Sequence, residues 1–136
     1  MSSALANNPL EVIVVEIKII KDCVKAIIME LSQIPDSKRR ALESFVRILK
    51  GSYGDRIRKI ILFGSVAKGE AEEDSDIDVL IVANEVSQKE ISRISLQILM
   101  KCGEVISSIV EDEQQFEKNK DYTFHQIVLK EGVEIG

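Results

Sequence analysis

The stretch LFGSVAKGEAEEDSDIDVLIV, Leu62 to Val82, constrains this chain more than any other. Two segments apolar enough to be buried strands are joined by a short acidic loop. The second opens with carboxylates at Asp76 and Asp78. Side chains alternate along a strand, so these two share one face, roughly 6.5–7 Å apart along the backbone. Ile77, Val79 and Ile81 take the opposite face, against a core. Two carboxylates held this close stay ionised only beside a compensating cation. Mg²⁺ characteristically binds one or two carboxylates together with substrate phosphates. The loop is suited to hold such a substrate. Gly64 lets backbone approach a ligand closely. N–H groups at the start of a short helical stretch, Val66 to Lys68, bind phosphate well, and the Ser65 hydroxyl adds a hydrogen bond. Lys68 supplies positive charge or points to solvent. Gly69 ends the turn, and Ser75 ties the loop beside Asp76. Each feature alone has an ordinary reading: a turn, a solvated strand end, a soluble acidic loop. Their combination is much rarer.

The rest of the chain supplies a scaffold. Residues 1 to 8 read as a tail. From Leu10 to Gln33 apolar residues recur at helical spacing, through Ile13, Ile17, Ile20, Val24, Ile27 and Leu31; the β-branched run VIVVEIKII also allows a strand. Pro35 stops that element, and Asp36 or Ser37 caps a helix carrying Leu42, Phe45, Val46 and Leu49 inward. GSYGD then breaks the chain. Ile57–Phe63 and DIDVLIV are strands. Ser87 and Glu90 form a capping box for a helix with Ile91, Ile94, Ile98 and Cys102 on one side, ended by Gly103. Glu104 to Val110 is a third strand, EDEQQFEKNK a polar helical excursion, and TFHQIVLK a short helix with Phe124, Ile127 and Val128 inward. His125 reads as a packed histidine. The predicted class is α/β (α+β): a small mixed sheet flanked by helices, with the first two strands joined by a short hairpin-like link.

Composition bounds the alternatives. A chain of 136 residues, 45% apolar and 30% charged, suits a single globular core without disulfide or metal staples. The net charge of −5 argues against broad nucleic-acid binding. Cys23 and Cys102 stand in no zinc-ligand spacing and read as core thiols. No signal peptide is evident, and Leu10 to Ile20 is too short and too charged to span a bilayer, so a cytoplasmic protein is expected.

GSVAKGEAEEDSDIDVLIV resembles the signature of the nucleotidyltransferase superfamily related to DNA polymerase beta, in its minimal-nucleotidyltransferase branch. The strict resemblance covers Leu62 to Val82, and the order of elements fits from about Ser37 to Val110. It implies a nucleotidyltransferase fold over residues 37–136, with residues 1–36 as an N-terminal extension. It also implies transfer of a nucleoside monophosphate, AMP from ATP or another triphosphate, to a hydroxyl, with release of pyrophosphate. On that model Gly64 and Ser65 hold phosphates, Lys68 and Ser75 support them, and Asp76 and Asp78 hold one or two Mg²⁺ ions. Active members carry a third carboxylate on a later strand, where Ser107 stands here; Glu104 and Glu111 lie at that strand's ends. The resemblance further implies an antitoxin paired with a helical HEPN-type protein. The competing reading is a nucleotide-binding partner subunit without strong catalysis. The apolar N-terminal element invites a partner or a second copy, and nucleic acid enters only as an acceptor end.

Overall fold

The computed structural model describes residues 34–136, which lie in one of the two units into which the chain divides. Helix α1 (Asp36–Tyr53) is followed by a 3-10 turn (Gly54–Arg56) and strand β1 (Ile57–Phe63). A single turn of helix, α2 (Gly64–Ala67), and an acidic loop lead to β2 (Ile77–Ala83). Then come α3 (Gln88–Cys102), β3 (Ile106–Glu111), α4 (Glu113–Lys118), α5 (Thr123–Glu131) and β4 (Val133–Glu134).

The strands form a four-stranded sheet in the order β3-β2-β1-β4. β1 is antiparallel to both β2 and β4, whereas β2 and β3 run parallel. The mixed sheet follows from connection length. The loop after β1 is short and returns the chain alongside, whereas α3 carries it over to a parallel neighbour.

Both sheet faces are covered. Register places Ile60, Leu62, Ile77, Val79 and Ile81 together, all buried, on the face expected to be internal. Helix α1 buries Ala41, Leu42, Phe45 and Leu49, and packs against α3, which buries Ile91, Ile94 and Ile98. On the opposite face Ile61, Leu80 and Val82 form a second cluster with Phe116 of α4 and Val128 of α5, and Phe63 packs against it. A strand apolar on both faces is therefore sandwiched, and only its leading end carries charge.

Local chemistry sets the boundaries. Ser87 and Glu90 form the expected capping box, and Gly103 closes α3 at φ 72°. The first residue of α3, Gln88, turns to the outer edge of β3. Its Oε1 accepts from the Val110 N–H (3.0 Å) and its Nε2 donates to the Ser108 carbonyl (3.1 Å). This satisfies edge groups that would otherwise invite pairing with another chain. Asp112 and Gln115 form a second capping box at the start of α4.

Several expectations are corrected. Neither Asp36 nor Ser37 caps α1; Pro35 precedes its first turn, Asp36 pairs with Arg39, and Ser37 donates to Glu104. The helix runs on through Gly51 to Tyr53 because the tertiary contacts of its buried stripe outweigh the weak helix preference of GSY. Val46 is only half buried, as is Cys102. The third strand begins at Ile106 and takes in Glu111. The inward line of α5 is His125 and Val128, with Phe124 and Ile127 exposed at 39% and 49%. The reason is polar: His125 Nε2 lies 2.8 Å from Glu111 Oε2, a partner that draws the ring inward. The terminal GVEIG adds an edge strand, β4, against Ile61 and Leu62. Cys23 and the apolar segment Leu10–Gln33 lie outside the described residues.

Candidate active site

The site gathers where β1 ends and β2 begins. Antiparallel register sets Phe63 opposite Asp78, so the residue after Phe63, Gly64, faces the Asp78 carboxylate. Gly64 has φ +75°, and a Cβ there would overlap Asp78 Oδ2 and stand 3.3 Å from its Cγ. Glycine is required twice over, by backbone conformation and by contact. The single turn α2 starts at this point, so the amides of Gly64 and Ser65 are free of intrahelical partners. Its end is tied by Lys68 N–H to Gly64 O (3.2 Å) and Glu70 N–H to Ser65 O (2.9 Å).

Asp78 lies within β2, half buried, and Asp76 just ahead of it, exposed. Burial raises the Asp78 carboxyl above the usual range, and the Asp76 charge raises it further. The two acids therefore repel each other in a partly desolvated corner, which is where a bound cation is most stabilising. Folding thus shifts Asp78 toward its neutral form. The stability linked to it is complete below the ordinary aspartate pKa and is lost as pH rises through the raised value. Asp78→Asn accordingly raises the thermal midpoint of the metal-free protein at pH 7, and the gain fades as pH is lowered through the carboxylate range. Scanning calorimetry across pH measures this.

The remaining predicted residues are distributed unevenly. Ser75 uses its hydroxyl to accept from the Glu72 N–H (2.8 Å), closing the loop as a turn. Lys68 pairs with Glu131 of α5 at 3.1 Å; hydrogen bonding to Glu131 and then its charge raise the lysine's pKa. Its ammonium thus ties α2 to α5. In the parallel ladder Ser107 is the partner of Asp78, next to the two carboxylates. Both nearby acids that could replace a third carboxylate are engaged elsewhere. Glu104 accepts from Lys38 (2.6 Å) and Ser37 (2.7 Å), and Glu111 is bound to His125. Burial alone would raise Glu104, but the hydrogen bonds from Lys38 and Ser37 and the lysine's charge hold it below the usual range. Among the described residues no cluster of three or more His, Cys, Asp or Glu converges as a metal cage. The donor set fits Mg²⁺ bound by two carboxylates, with phosphate and water completing its shell.

A groove of about 420 Å³ opens beside Asp76 and Ser107 and runs along β3 to α3, where Ser92, Leu96 and Leu99 line it. It offers an approach to Asp76.

A family model described as nucleotidyltransferase domain matches residues 39–135. This chain belongs to the nucleotidyltransferase domain family. It is 45% identical over 96 residues to "Putative protein adenylyltransferase MJ0604" of Methanocaldococcus jannaschii, covering 71% of this chain and 95% of that protein. It is 30% identical over 98 residues to "Putative protein adenylyltransferase MJ0141" of the same organism, covering 69% and 94%. A toxin–antitoxin crystal structure with AMP-PNP shares the fold, with a TM-score of 0.52 at 17% identity over 68% of this chain and 70% of that one.

Sequence reasoning missed one residue of this nucleotidyltransferase domain. Lys38, buried in the first turn of α1, bonds to the carbonyls of Glu73 and Ser75 as well as to Glu104. A signal was available. Position 38 continues the stripe of Leu42, Phe45 and Leu49, so a lysine there must be buried and must find oxygen partners.

Proposed function

We propose that this nucleotidyltransferase domain transfers AMP from ATP to a hydroxyl group on a protein, with Mg²⁺ held by Asp76 and Asp78. The observation that carries the reading is the junction itself. A glycine that only glycine can occupy presses against one of two adjacent, mutually repelling carboxylates. In this reading the amides of Gly64 and Ser65 and the Ser65 hydroxyl receive the triphosphate tail. Lys68 and Ser75 act through the loop, by holding α2 to α5 and by closing the turn ahead of Asp76. When bound, Mg²⁺ supplies charge neutralisation of the phosphates and of the leaving pyrophosphate. The relatives' names support a protein acceptor, and the groove beside Asp76 and Ser107 gives it a way in. A helical HEPN-type toxin is a fitting acceptor, consistent with the toxin–antitoxin fold likeness. Incubation of the protein and such a partner with Mg²⁺ and labelled ATP tests this. Label in the partner with release of pyrophosphate supports transfer; binding of ATP without either result refutes it.

Ser107 favours a second reading, a nucleotide-binding subunit with weak catalysis. It stands beside Asp78, where active relatives are expected to carry a carboxylate. A hydroxyl brings no charge to a metal and is a poor base at neutral pH. Ser107→Asp is expected to raise the rate of transfer, or of pyrophosphate release, at least tenfold at saturating Mg²⁺. An unchanged rate would show that the missing carboxylate does not limit turnover.

A further inference from the structure

We propose that Lys38 is a positioning residue for the metal site, its ammonium holding the peptide that leads into Asp76. The inference rests on the reading of Asp76 and Asp78 given above. Lys38 is 1% exposed. Its three N–H groups have three acceptors: the Ser75 carbonyl at 2.6 Å, Glu104 Oε1 at 2.6 Å and the Glu73 carbonyl at 3.1 Å. Glu104 is held in turn by the Ser37 hydroxyl at 2.7 Å. A leucine would satisfy the apolar stripe of α1 without the desolvation that a buried ammonium incurs. What a leucine cannot do is gather two carbonyls of the acidic loop.

Those carbonyls stand next to the chemistry. The Ser75 C=O belongs to the same peptide plane as the Asp76 N–H, so fixing one fixes the direction in which the Asp76 side chain leaves the backbone. On the far side of Asp76, the Ile77 N–H donates to the Val105 carbonyl at 2.9 Å, and Val105 follows Glu104. Asp76 precedes the ladder of β2 and is exposed. It is thus braced from both sides by groups converging from α1 and from the entrance to β3. The ammonium also places a positive charge under a loop that carries Glu70, Glu72, Glu73 and Asp74 as well as Asp76. The pair lets that loop lie close without pairing to either metal-binding carboxylate.

The decisive comparison is between Lys38→Met and the double variant Lys38→Met/Glu104→Leu. The single variant strands a buried carboxylate and is expected to unfold more easily. The double variant leaves no uncompensated charge and restores cooperative unfolding near the wild-type midpoint. If Lys38 only balances Glu104, the double variant also binds Mg²⁺–ATP like the wild type, and the proposal falls. If Lys38 positions Asp76, the folded double variant loses at least tenfold in Mg²⁺-dependent ATP affinity by calorimetry. Affinity measured in EDTA changes less than twofold. A variant-free measurement covers a double variant that does not fold. The Lys38 ammonium, buried and bonded to three acceptors, is expected to give its own ¹H–¹⁵N signal and to shift it when Mg²⁺–ATP is added. A signal unmoved at saturation overturns the proposal. Wild-type protein without Mg²⁺-dependent ATP affinity defeats the metal-site reading itself and removes what Lys38 would position.

Discussion

Asp76→Asn and Asp78→Asn are each expected to lower the rate of nucleotidyl transfer by about a thousandfold or more, close to 4 kcal/mol of transition-state stabilisation. The loss follows from charge. An amide keeps the shape of the carboxylate and one acceptor oxygen but cannot neutralise a divalent ion. The two variants should differ in stability while agreeing in activity. Asp78 is the more buried and is already pushed toward its neutral form by that burial and by the Asp76 charge, so its amide relieves that strain. Asp78→Asn thus combines a more stable metal-free fold with a dead site, the trade expected where function requires clustered like charge. Single-turnover transfer of labelled AMP, read beside Mg²⁺ titrations of ATP binding, measures it. Retention of more than a tenth of the wild-type rate in either variant would remove that carboxylate from the proposed metal site.

Gly64→Ala is expected to reduce transfer about a hundredfold and to lower stability by about 1–2 kcal/mol. Two effects combine. A Cβ at φ +75° is strained, and it overlaps the Asp78 carboxylate, which must rotate away from the Gly64 turn. Gly54→Ala separates the two. Gly54 also has positive φ, at +54°, but a Cβ there meets nothing within 4 Å. That variant carries backbone strain at a distance from the carboxylates, so its stability falls while its transfer rate stays within about twofold of wild type. Rates per folded molecule, with the folded fraction set by urea titration, make the comparison direct. Equal rates for the two variants would mean that Gly64 serves only the turn.

The Lys68–Glu131 and His125–Glu111 pairs show how polar contacts override simple patterning. Lys68 follows the Gly64–Ser65 turn in sequence, yet its ammonium bonds to α5. His125 lies near the more apolar Phe124 and Ile127, yet it occupies the buried line of α5 because Glu111 waits at the end of β3. Both partners are more than a dozen residues away in sequence, and nothing local announces them.

What the sequence determined by itself was whatever depends on spacing along the chain. Alternation over DIDVLIV put Ile77, Val79 and Ile81 inward and left Asp76 and Asp78 at the head of the strand. The short link from Phe63 to Asp76 made β1 and β2 antiparallel neighbours, and the Ser87–Glu90 box started α3. These follow from backbone periodicity and local hydrogen bonding, which neighbouring residues settle among themselves. Only the tertiary structure decided that Gly64 presses on Asp78, that Ser107 lies beside it, that Glu104 and Glu111 are committed elsewhere, and that Lys38 reaches the loop before Asp76. Each of these joins residues distant in sequence. Their meeting is set by sheet register and helix packing, which depend on the burial of the whole core rather than on any one segment.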